Sequence, residues 1–197
     1  LLYLHKYKKL KGKVVVAAST TPRVVKLAEK WGLDHDTVKV GFKYIAGQMV
    51  TEDVLIGGEE SGGIAIKGHI PERDGIWMGL VLFEYIATSG KSLEELINEV
   101  YELVGEFKYC RDDLHLDEKL KNSIVKKCNN NEFSSFGEFK VIKVDKTDGF
   151  KFILKDDQWL MIRPSGTEPV LRCYAESKDL DGAKAILAAC KTAIGVS

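Results

Sequence analysis

The sequence GGEESGG at residues 57–63 places two adjacent carboxylates and a hydroxyl among four glycines. Glycine lets a backbone approach a ligand closely and adopt positive φ angles without strain. Glu59, Glu60 and Ser61 are hydrogen-bonding groups suited to the hydroxyls of a vicinal diol, whereas paired carboxylates would repel an anion. The residue types therefore indicate a sugar-like ligand. On composition alone, an ordinary solvated glycine-rich turn remains the alternative.

The sequence RPSGTEP, which begins at Arg163, has a different chemistry. Arg163 supplies a fork of charged donors, Ser165 and Thr167 supply hydroxyls, and Gly166 leaves backbone N–H groups accessible. These are the groups that a phosphate dianion requires. Arg172, on the strand that should follow, can add a second guanidinium. The same residues are equally consistent with an ordinary turn that carries a surface arginine.

Three further polar side chains stand out. Lys43 is isolated among apolar residues in VGFKYIAGQM, where it either extends to solvent from a strand end or faces a cleft to neutralise phosphate or move a proton. His69 and Arg73 lie in a polar turn, GHIPERDG, with capping and surface solvation as the alternative role. Together with Glu72 and Asp74, His69 could complete a metal site with the acidic pair only if folding brought them together.

The first half of the chain alternates strands and helices. Thr21 is a good N-cap, Pro22 suits a first helical position, and Gly32 suits a helix end. After a strand, residues 41–44 are expected to lead through a turn to the next strand. The predicted strands are 13–18, 37–40, 54–56 and 64–67, and helices are predicted at 22–31, at 75–89 after Asp74, and from Ser92 onward with Glu95 completing a capping box. This alternation predicts an α/β layer with partly parallel strands.

From about Phe107 the pattern changes to strands joined by short Asp and Gly turns. The predicted strands are 109–116, 140–144, 149–154, 158–162 and 171–176, and the predicted helices are 117–128 and 180–194. This is an α+β segment with a mostly antiparallel sheet, and we place the boundary near residues 104–108.

The chain opens with LLYLHKYKKLKG, already in a helix-like pattern and without methionine, which indicates a fragment.

The composition excludes several classes of protein. The formal net charge is +0, so no global field attracts nucleic acid or an anionic membrane. No apolar run has membrane-spanning length. The four cysteines show no C-x-x-C spacing, which is typical of free thiols in a reducing compartment. We expect a cytoplasmic protein with no nucleic-acid or membrane partner.

Taken together, these segments resemble the α-D-phosphohexomutase family, which includes phosphoglucomutase and phosphomannomutase. GGEESGG is similar to the sugar-recognition loop of the family's third domain, and RPSGTEP is similar to the phosphate-binding loop of its fourth domain. GFKYI and GHIPERDGIW match as well, in the same order. The resemblance implies a small three-layer α/β domain at residues 1–106 and a TATA-binding-protein-like α+β domain at 107–197.

The resemblance also assigns roles to individual residues. It implies sugar-hydroxyl contacts for Glu59, Glu60 and Ser61, and proton transfer or a phosphosugar contact for Lys43. Some family members have histidine at the position of Gly63, so that contact is absent here or supplied elsewhere. Phosphate contacts are implied for Arg163, Ser165, Gly166, Thr167 and Arg172, and positions lining the same cleft for His69 and Arg73.

The sequence lacks the two motifs that carry the family's chemistry: a phosphoserine loop resembling TASHNP and a magnesium loop resembling DGDGDR. The family converts hexose 1-phosphate and hexose 6-phosphate through a phosphoserine enzyme, a hexose 1,6-bisphosphate intermediate and Mg²⁺. We therefore expect the C-terminal half of such a mutase, inactive alone, with a phosphohexose substrate and the missing N-terminal domains as partners. The alternative is a stand-alone, non-catalytic sugar-phosphate-binding module, and the coding sequence upstream of Leu1 would distinguish the two.

Overall fold

The computed structural model describes residues 1–165 and 168–196. The chain divides into two compact units, Leu1–Gly105 and Glu106–Ser197. Gly166 and Thr167, both predicted to contact phosphate, lie outside the described residues.

The first unit is built around a four-stranded sheet with the order β2-β1-β3-β4. Its strands are β1 (Lys13–Ala17), β2 (His35–Val38), β3 (Val54–Gly58) and β4 (Ile64–Ile66), and its helices are α1 (Pro22–Lys30), α2 (Phe42–Thr51), α3 (Gly75–Ser89) and α4 (Leu93–Val104), preceded by a π-helical turn at Tyr3–Tyr7. Strand β1 pairs in parallel with β2 and β3, whereas β4 pairs antiparallel with β3. The predicted partly parallel α/β sheet is confirmed.

Both faces of this sheet are covered, because β1 is apolar at successive positions. Val15 packs with Phe42 and Ile45 of α2 on one face. Val14 and Val16 pack with α1 on the other. A continuous apolar run is typical of a strand buried on both sides. The result is the three-layer α/β architecture that the resemblance implied.

Local capping signals place the helix starts. Thr21 accepts a hydrogen bond from the N–H of Arg23, and Pro22 is the first residue of α1. Asp74 accepts from the N–H of Trp77 at the start of α3. The predicted capping box at the start of α4 forms in both directions. Each of these satisfies a backbone donor that the first helical turn leaves unpaired, so these predictions are confirmed.

The prediction for residues 41–44 is wrong, because helix α2 begins at Phe42 and continues to Thr51. Phe42, Ile45 and Met49 pack against the sheet from one side of the helix. Their spacing of three and four residues is that of an amphipathic helix. Strand β2 also lies earlier than predicted, at His35–Val38.

The second unit contains a five-stranded sheet with the order β5-β11-β10-β9-β8, antiparallel throughout. Its strands are β5 (Lys108–His115), β8 (Lys143–Asp145), β9 (Phe150–Ile153), β10 (Trp159–Pro164) and β11 (Val170–Ser177), its helices are α5 (Glu118–Asn129) and α6 (Leu180–Ile194), and a small hairpin is formed by β6 (Ser135–Phe136) and β7 (Phe139–Lys140). Both helices pack on one sheet face, where Leu160, Ile162 and Cys173 are buried with Ile124 and Ile186. The predicted α+β segment is confirmed, although the β6–β7 hairpin was not predicted.

Helix α3 leaves part of its apolar surface exposed. Ile76, Leu80 and Phe83 lie at spacings of four and three residues and are 83%, 57% and 71% exposed. No helix in the described part of the chain is long and apolar enough to span a membrane. The four cysteines are free thiols, and all but Cys110 are buried.

Candidate functional site

The residues of GGEESGG meet other polar groups at the carboxyl edge of the parallel strands. Ser19 and Thr20 follow β1, Gly41 follows β2, and Glu59 follows β3 directly. The carboxyl ends of parallel strands lie at one edge of a sheet, where open α/β sheets bind ligands. The fold therefore brings three separate chain segments to one place.

Glu59 is fixed by the start of helix α2. Its Oε1 atom accepts a hydrogen bond from the N–H of Gly41 at 3.0 Å. Only 9% of its side chain is exposed, and Arg73 Nη1 lies 3.8 Å from its Oε2 atom. A carboxylate is favoured at a helix N-terminus, where unpaired N–H groups carry partial positive charge. Glu59 is thus held in one orientation by the scaffold.

Glu60 is held by a different segment. The hydroxyl of Ser19, which is fully buried, donates to Glu60 Oε2. The hydroxyl of Thr20 lies 3.5 Å from the carbonyl of Gly58. Thr21, the next residue, caps α1 as predicted, whereas Ser19 and Thr20 were not predicted to take part in the site. The signal that could have found Ser19 and Thr20 is their position just after a strand of a parallel sheet.

The loop itself is a closed five-residue hairpin connection between β3 and β4. The N–H of Glu59 donates to the carbonyl of Gly63 at 3.0 Å, and the N–H of Gly62 donates to the carbonyl of Glu59 at 3.1 Å. Gly62 has a φ of +86°, which an L-residue rarely adopts. Ser61 is exposed at the tip. The carboxylates are therefore anchored, while the serine hydroxyl is presented to solvent.

Arg73 occupies the space beside Gly63. A Cβ atom added at Gly63 would lie 2.6 Å from Cδ of Arg73 and 3.4 Å from Oε2 of Glu59. The guanidinium also lies over the ring of Phe42, 5.2 Å from its centroid, and Arg73 Nε donates to Glu72 at 3.1 Å. The arginine stem thus fills the position that a side chain at residue 63 would take.

His69 and Lys43 have separate surroundings. The His69 Nε2 atom lies 2.9 Å from Asp74 Oδ2, and its ring stacks on Trp77 at 4.6 Å. The N–H of Trp77 and the His69 ring lower the pKa of Asp74. Lys43 is exposed in the first turn of α2, with Nζ 5.0 Å from the centroid of Tyr44. It therefore extends from the helix end that holds Glu59, and not from a strand end as the sequence suggested.

In the second unit, the two arginines of the proposed phosphate site are direct neighbours. Arg163 on β10 pairs in register with Arg172 on β11. Arg172 in turn lies opposite Asp113 on β5. Residues directly opposite in antiparallel strands project from the same face with Cβ atoms about 5 Å apart. Two guanidinium groups and one carboxylate therefore form a row across three strands.

Carboxylates partner these arginines. Arg163 Nε donates to Asp148 Oδ2 at 2.8 Å. The turn that carries Asp148 approaches β10 closely because Gly149 has a φ of +71° and a Cβ there would lie 2.8 Å from the carbonyl of Ile162. Arg172 Nη2 donates to Glu168 Oε2 at 3.2 Å.

Ser165 and Asp113 complete the described part of this region. Ser165 is buried, and its N–H donates to the carbonyl of Val170 at 2.9 Å, which closes the chain reversal between β10 and β11. Asp113 accepts two hydrogen bonds from Arg111, at 2.7 and 2.5 Å. This pairing lowers the pKa of Asp113, with a smaller contribution from Arg172.

The donor set does not fit a divalent metal. Within the described residues, no three carboxylate, imidazole or thiolate side chains are grouped as a metal site requires. Glu72 and Asp74 instead pair with Arg73 and His69 respectively.

The chain thus contains a three-layer α/β unit with a glycine-rich acidic hairpin and an antiparallel α+β unit with two adjacent arginines. Residues 1–104 match the family model for phosphoglucomutase/phosphomannomutase, alpha/beta/alpha domain III. Residues 120–192 match the model for the C-terminal domain of the same family. The chain belongs to the phosphoglucomutase/phosphomannomutase family.

Individual relatives agree with this assignment. A phosphoglucomutase/phosphomannomutase of Thermococcus kodakarensis is 32% identical over 176 residues, which is 89% of this chain and 36% of the relative. A phosphoglucosamine/phosphogalactosamine mutase of Sulfurisphaera tokodaii is 33% identical over 85% of this chain and 35% of the relative. A solved structure from Thermus thermophilus, described as a phosphomannomutase, superposes with a TM-score of 0.77 at 30% identity and covers 98% of this chain and 39% of that one. The chain thus spans little more than a third of the length of these proteins.

Proposed function

We propose that this chain provides hexose recognition and phosphate binding to a mutase that interconverts hexose 1-phosphate and hexose 6-phosphate. The observation that carries the proposal is the register of β10 and β11, which sets Arg163 beside Arg172. Two adjacent guanidinium groups match the charge and the hydrogen-bonding geometry of one phosphate. The proposal assigns residues 1–106 to sugar recognition and residues 107–197 to phosphate binding.

In the first unit, the hairpin 59–63 binds the hydroxyls of the sugar. Ser61 is exposed at the tip, and Glu59 is oriented by Gly41 and Arg73. The remaining acceptor capacity of Glu59 can receive a hydrogen bond from a sugar hydroxyl. Glu60 contacts the sugar through the carboxylate oxygen that Ser19 does not bind.

The side chains around this hairpin complete the recognition surface. Arg73 supplies the contact that a larger side chain at Gly63 would make, since it fills that space. His69, which is bonded to Asp74 and stacked on Trp77, lines the same surface. Lys43 approaches the phosphosugar from the first turn of α2, where its ammonium can donate to phosphate or move a proton.

In the second unit, the phosphate is held by Arg163, Arg172 and the loop of Ser165, Gly166 and Thr167. The phosphoserine and the magnesium site belong to N-terminal domains of the same polypeptide, and hexose 1,6-bisphosphate is the intermediate. The greater length of the relatives supports this division, because this chain spans only 36% of the Thermococcus kodakarensis protein. When present, Mg²⁺ would supply Lewis-acid stabilisation of the transferring phosphoryl group.

Binding of glucose 1-phosphate to the purified chain tests the proposal. Amide shifts should move in residues 57–63 and around Arg163 on titration. The double variant Arg163→Gln, Arg172→Gln should lose the phosphate response, because both guanidinium groups are gone. Lys119→Gln removes one exposed positive charge on α5 and serves as the control, with binding unchanged. Wild-type affinity in the double arginine variant would contradict the phosphate site.

The isolated chain should not convert glucose 1-phosphate to glucose 6-phosphate. The sequence contains neither a phosphoserine loop nor a metal loop of the family type. Without a phosphoryl donor and a Lewis acid, in-line transfer has no means of proceeding. A coupled assay with added Mg²⁺ and glucose 1,6-bisphosphate checks this, and conversion above the uncatalysed rate would contradict the assignment of the chemistry to other domains.

A further inference from the structure

The proposed phosphate site carries no net positive charge among its described side chains. Three arginines lie together on one region of the sheet of the second unit, and each contacts a carboxylate. The arginines are Arg111, Arg163 and Arg172, and the carboxylates are Asp113, Asp148 and Glu168, so three positive charges meet three negative charges. A phosphate that carries about −1.5 to −2 charges at neutral pH would enter a region that is already balanced.

The three carboxylates are not equally fixed. Asp148 is only 20% exposed, and its contact with Arg163 is 2.8 Å long. Asp113 accepts two hydrogen bonds from Arg111. Glu168 is 57% exposed, and a single 3.2 Å hydrogen bond joins it to Nη2 of Arg172. Of the three, Glu168 is the carboxylate that can leave its arginine with the smallest loss.

Arg172 itself has an unused hydrogen-bond donor. Its Nε atom is buried and has no hydrogen-bond partner among the described residues. The Oδ2 atom of Asp113 lies 3.9 Å from it, which is too long for a hydrogen bond. A buried donor without an acceptor is unfavourable, so an incoming oxygen acceptor would be stabilised at this position.

We propose that Glu168 is an internal counter-ion for Arg172 and that substrate phosphate displaces it. This inference rests on the phosphate site of the proposed function. An exposed ion pair of this kind contributes little to stability, so its carboxylate can be exchanged for a better acceptor. Phosphate brings several strong acceptor oxygens and can use Nη2 and Nε of Arg172 together, whereas Glu168 uses only Nη2. Glu168 thereby keeps Arg172 charge-compensated between substrates and weakens the affinity for phosphate.

Titration of the purified chain with inorganic phosphate, followed by amide shifts, tests the inference in four variants. Glu168→Gln keeps the shape of the side chain but removes its charge, and should bind phosphate about three- to fivefold more tightly than wild type. Glu138→Gln removes one exposed negative charge from the β6–β7 hairpin and should bind as wild type does. Arg172→Gln should bind more weakly, and adding Glu168→Gln to it should give no further change.

Each outcome decides one of the two proposals. Equal or weaker binding by Glu168→Gln, with clear binding by wild type, would overturn the counter-ion role and leave the phosphate site intact. Equal tightening by Glu168→Gln and Glu138→Gln would also overturn it, because net charge alone would then explain the effect. A gain from Glu168→Gln that persists in the Arg172→Gln background would show that Glu168 does not act through Arg172. If phosphate changed the amide shifts of neither wild type nor Glu168→Gln, the phosphate site itself would be contradicted.

Discussion

At the residue scale, the contact between Ser19 and Glu60 links the end of β1 to the hairpin. We expect Ser19→Ala to lower the free energy of unfolding by about 1–2 kcal/mol, because a buried hydroxyl that donates to a carboxylate is lost. The same change should weaken glucose 1-phosphate binding by releasing Glu60. Urea unfolding and amide-shift titration measure the two effects.

The control for this variant is Thr88→Ala on α3, where the side chain is exposed. It should leave binding unchanged and should not destabilise the protein, because alanine is a good helix former. If Ser19→Ala lowered stability but left the amide shifts of residues 59–63 and the affinity unchanged, Ser19 would be a packing residue without a part in sugar recognition.

At the scale of elements, Gly57 permits the close approach of α2 to β3. A Cβ atom at Gly57 would lie 2.2 Å from Cγ2 of Ile45, which is fully buried. Gly57→Ala should therefore destabilise the first unit by about 1–3 kcal/mol, as overpacking does. The displaced helix would also move Gly41 and Lys43 away from the hairpin.

Gly47 on the same helix is the matched control. Nothing lies within 4 Å of a Cβ atom added there. Gly47→Ala should stabilise the protein by about 0.5–1 kcal/mol, because glycine is unfavourable in a helix interior. Chemical denaturation measures the change in the free energy of unfolding for both variants. If Gly57→Ala and Gly47→Ala changed it in the same direction, the packing argument would be refuted.

Glu99 on α4 makes the first unit sensitive to acid. It accepts hydrogen bonds from Lys6 at 2.8 Å, Lys91 at 2.7 Å and Tyr7 at 2.9 Å. Lys6 and then Lys91 contribute most to lowering the pKa of Glu99 from 4.5 to about 2. Because the folded state has the lower pKa, this contribution to stability is complete above about pH 4.5 and is lost as the pH falls towards 2.

The contribution of Glu99 is at most about 3 kcal/mol, from the size of the shift. Glu99→Gln should be less stable than wild type at neutral pH, and the difference should shrink as the pH falls through this window. Urea unfolding of both proteins at several pH values measures this difference in stability. A difference that stays constant with pH would show that the carboxylate charge is not what stabilises the fold.

The secondary-structure elements that could be predicted are those marked by residues that interact with near neighbours in the sequence. The caps at Thr21, Asp74 and Ser92 each bond to a backbone group two or three residues away, so sequence patterns reveal them. Helix α2 was missed because Gly41 and Gly47 resemble turn residues, although Phe42 and Ile45 already carried a helical spacing.

The unpredicted part of the site depends on distant residues. Ser19 and Glu60 are 41 residues apart, and no local pattern joins them. The register of Arg163 with Arg172, and the approach of Asp148 to Arg163, follow from the pairing of strands and turns in the folded sheet. The residue types of the candidate site could therefore be proposed from the sequence, whereas the partners that orient them could not.

At the scale of the whole molecule, the exposed apolar side chains of α3 affect behaviour in solution. Ile76, Leu80 and Phe83 form one stripe on the helix. An exposed contiguous apolar surface promotes association. We expect this chain to self-associate with rising concentration, and Phe83→Glu to reduce the apparent mass in light scattering. Thr88→Glu adds the same charge to the same helix, and an equal reduction by that variant would contradict a role for the stripe.

The closed hairpin at residues 59–63 also bears on how such a protein can change its substrate. Because its two ends are paired in the sheet as Gly58 with Ile64, and its own backbone closes on itself, the connection is not free to swing as a lid. Under the proposed function, the side chains at its tip would determine the preference for one hexose over another. The five residues between the two paired strands could therefore be exchanged between family members, either in evolution or by engineering.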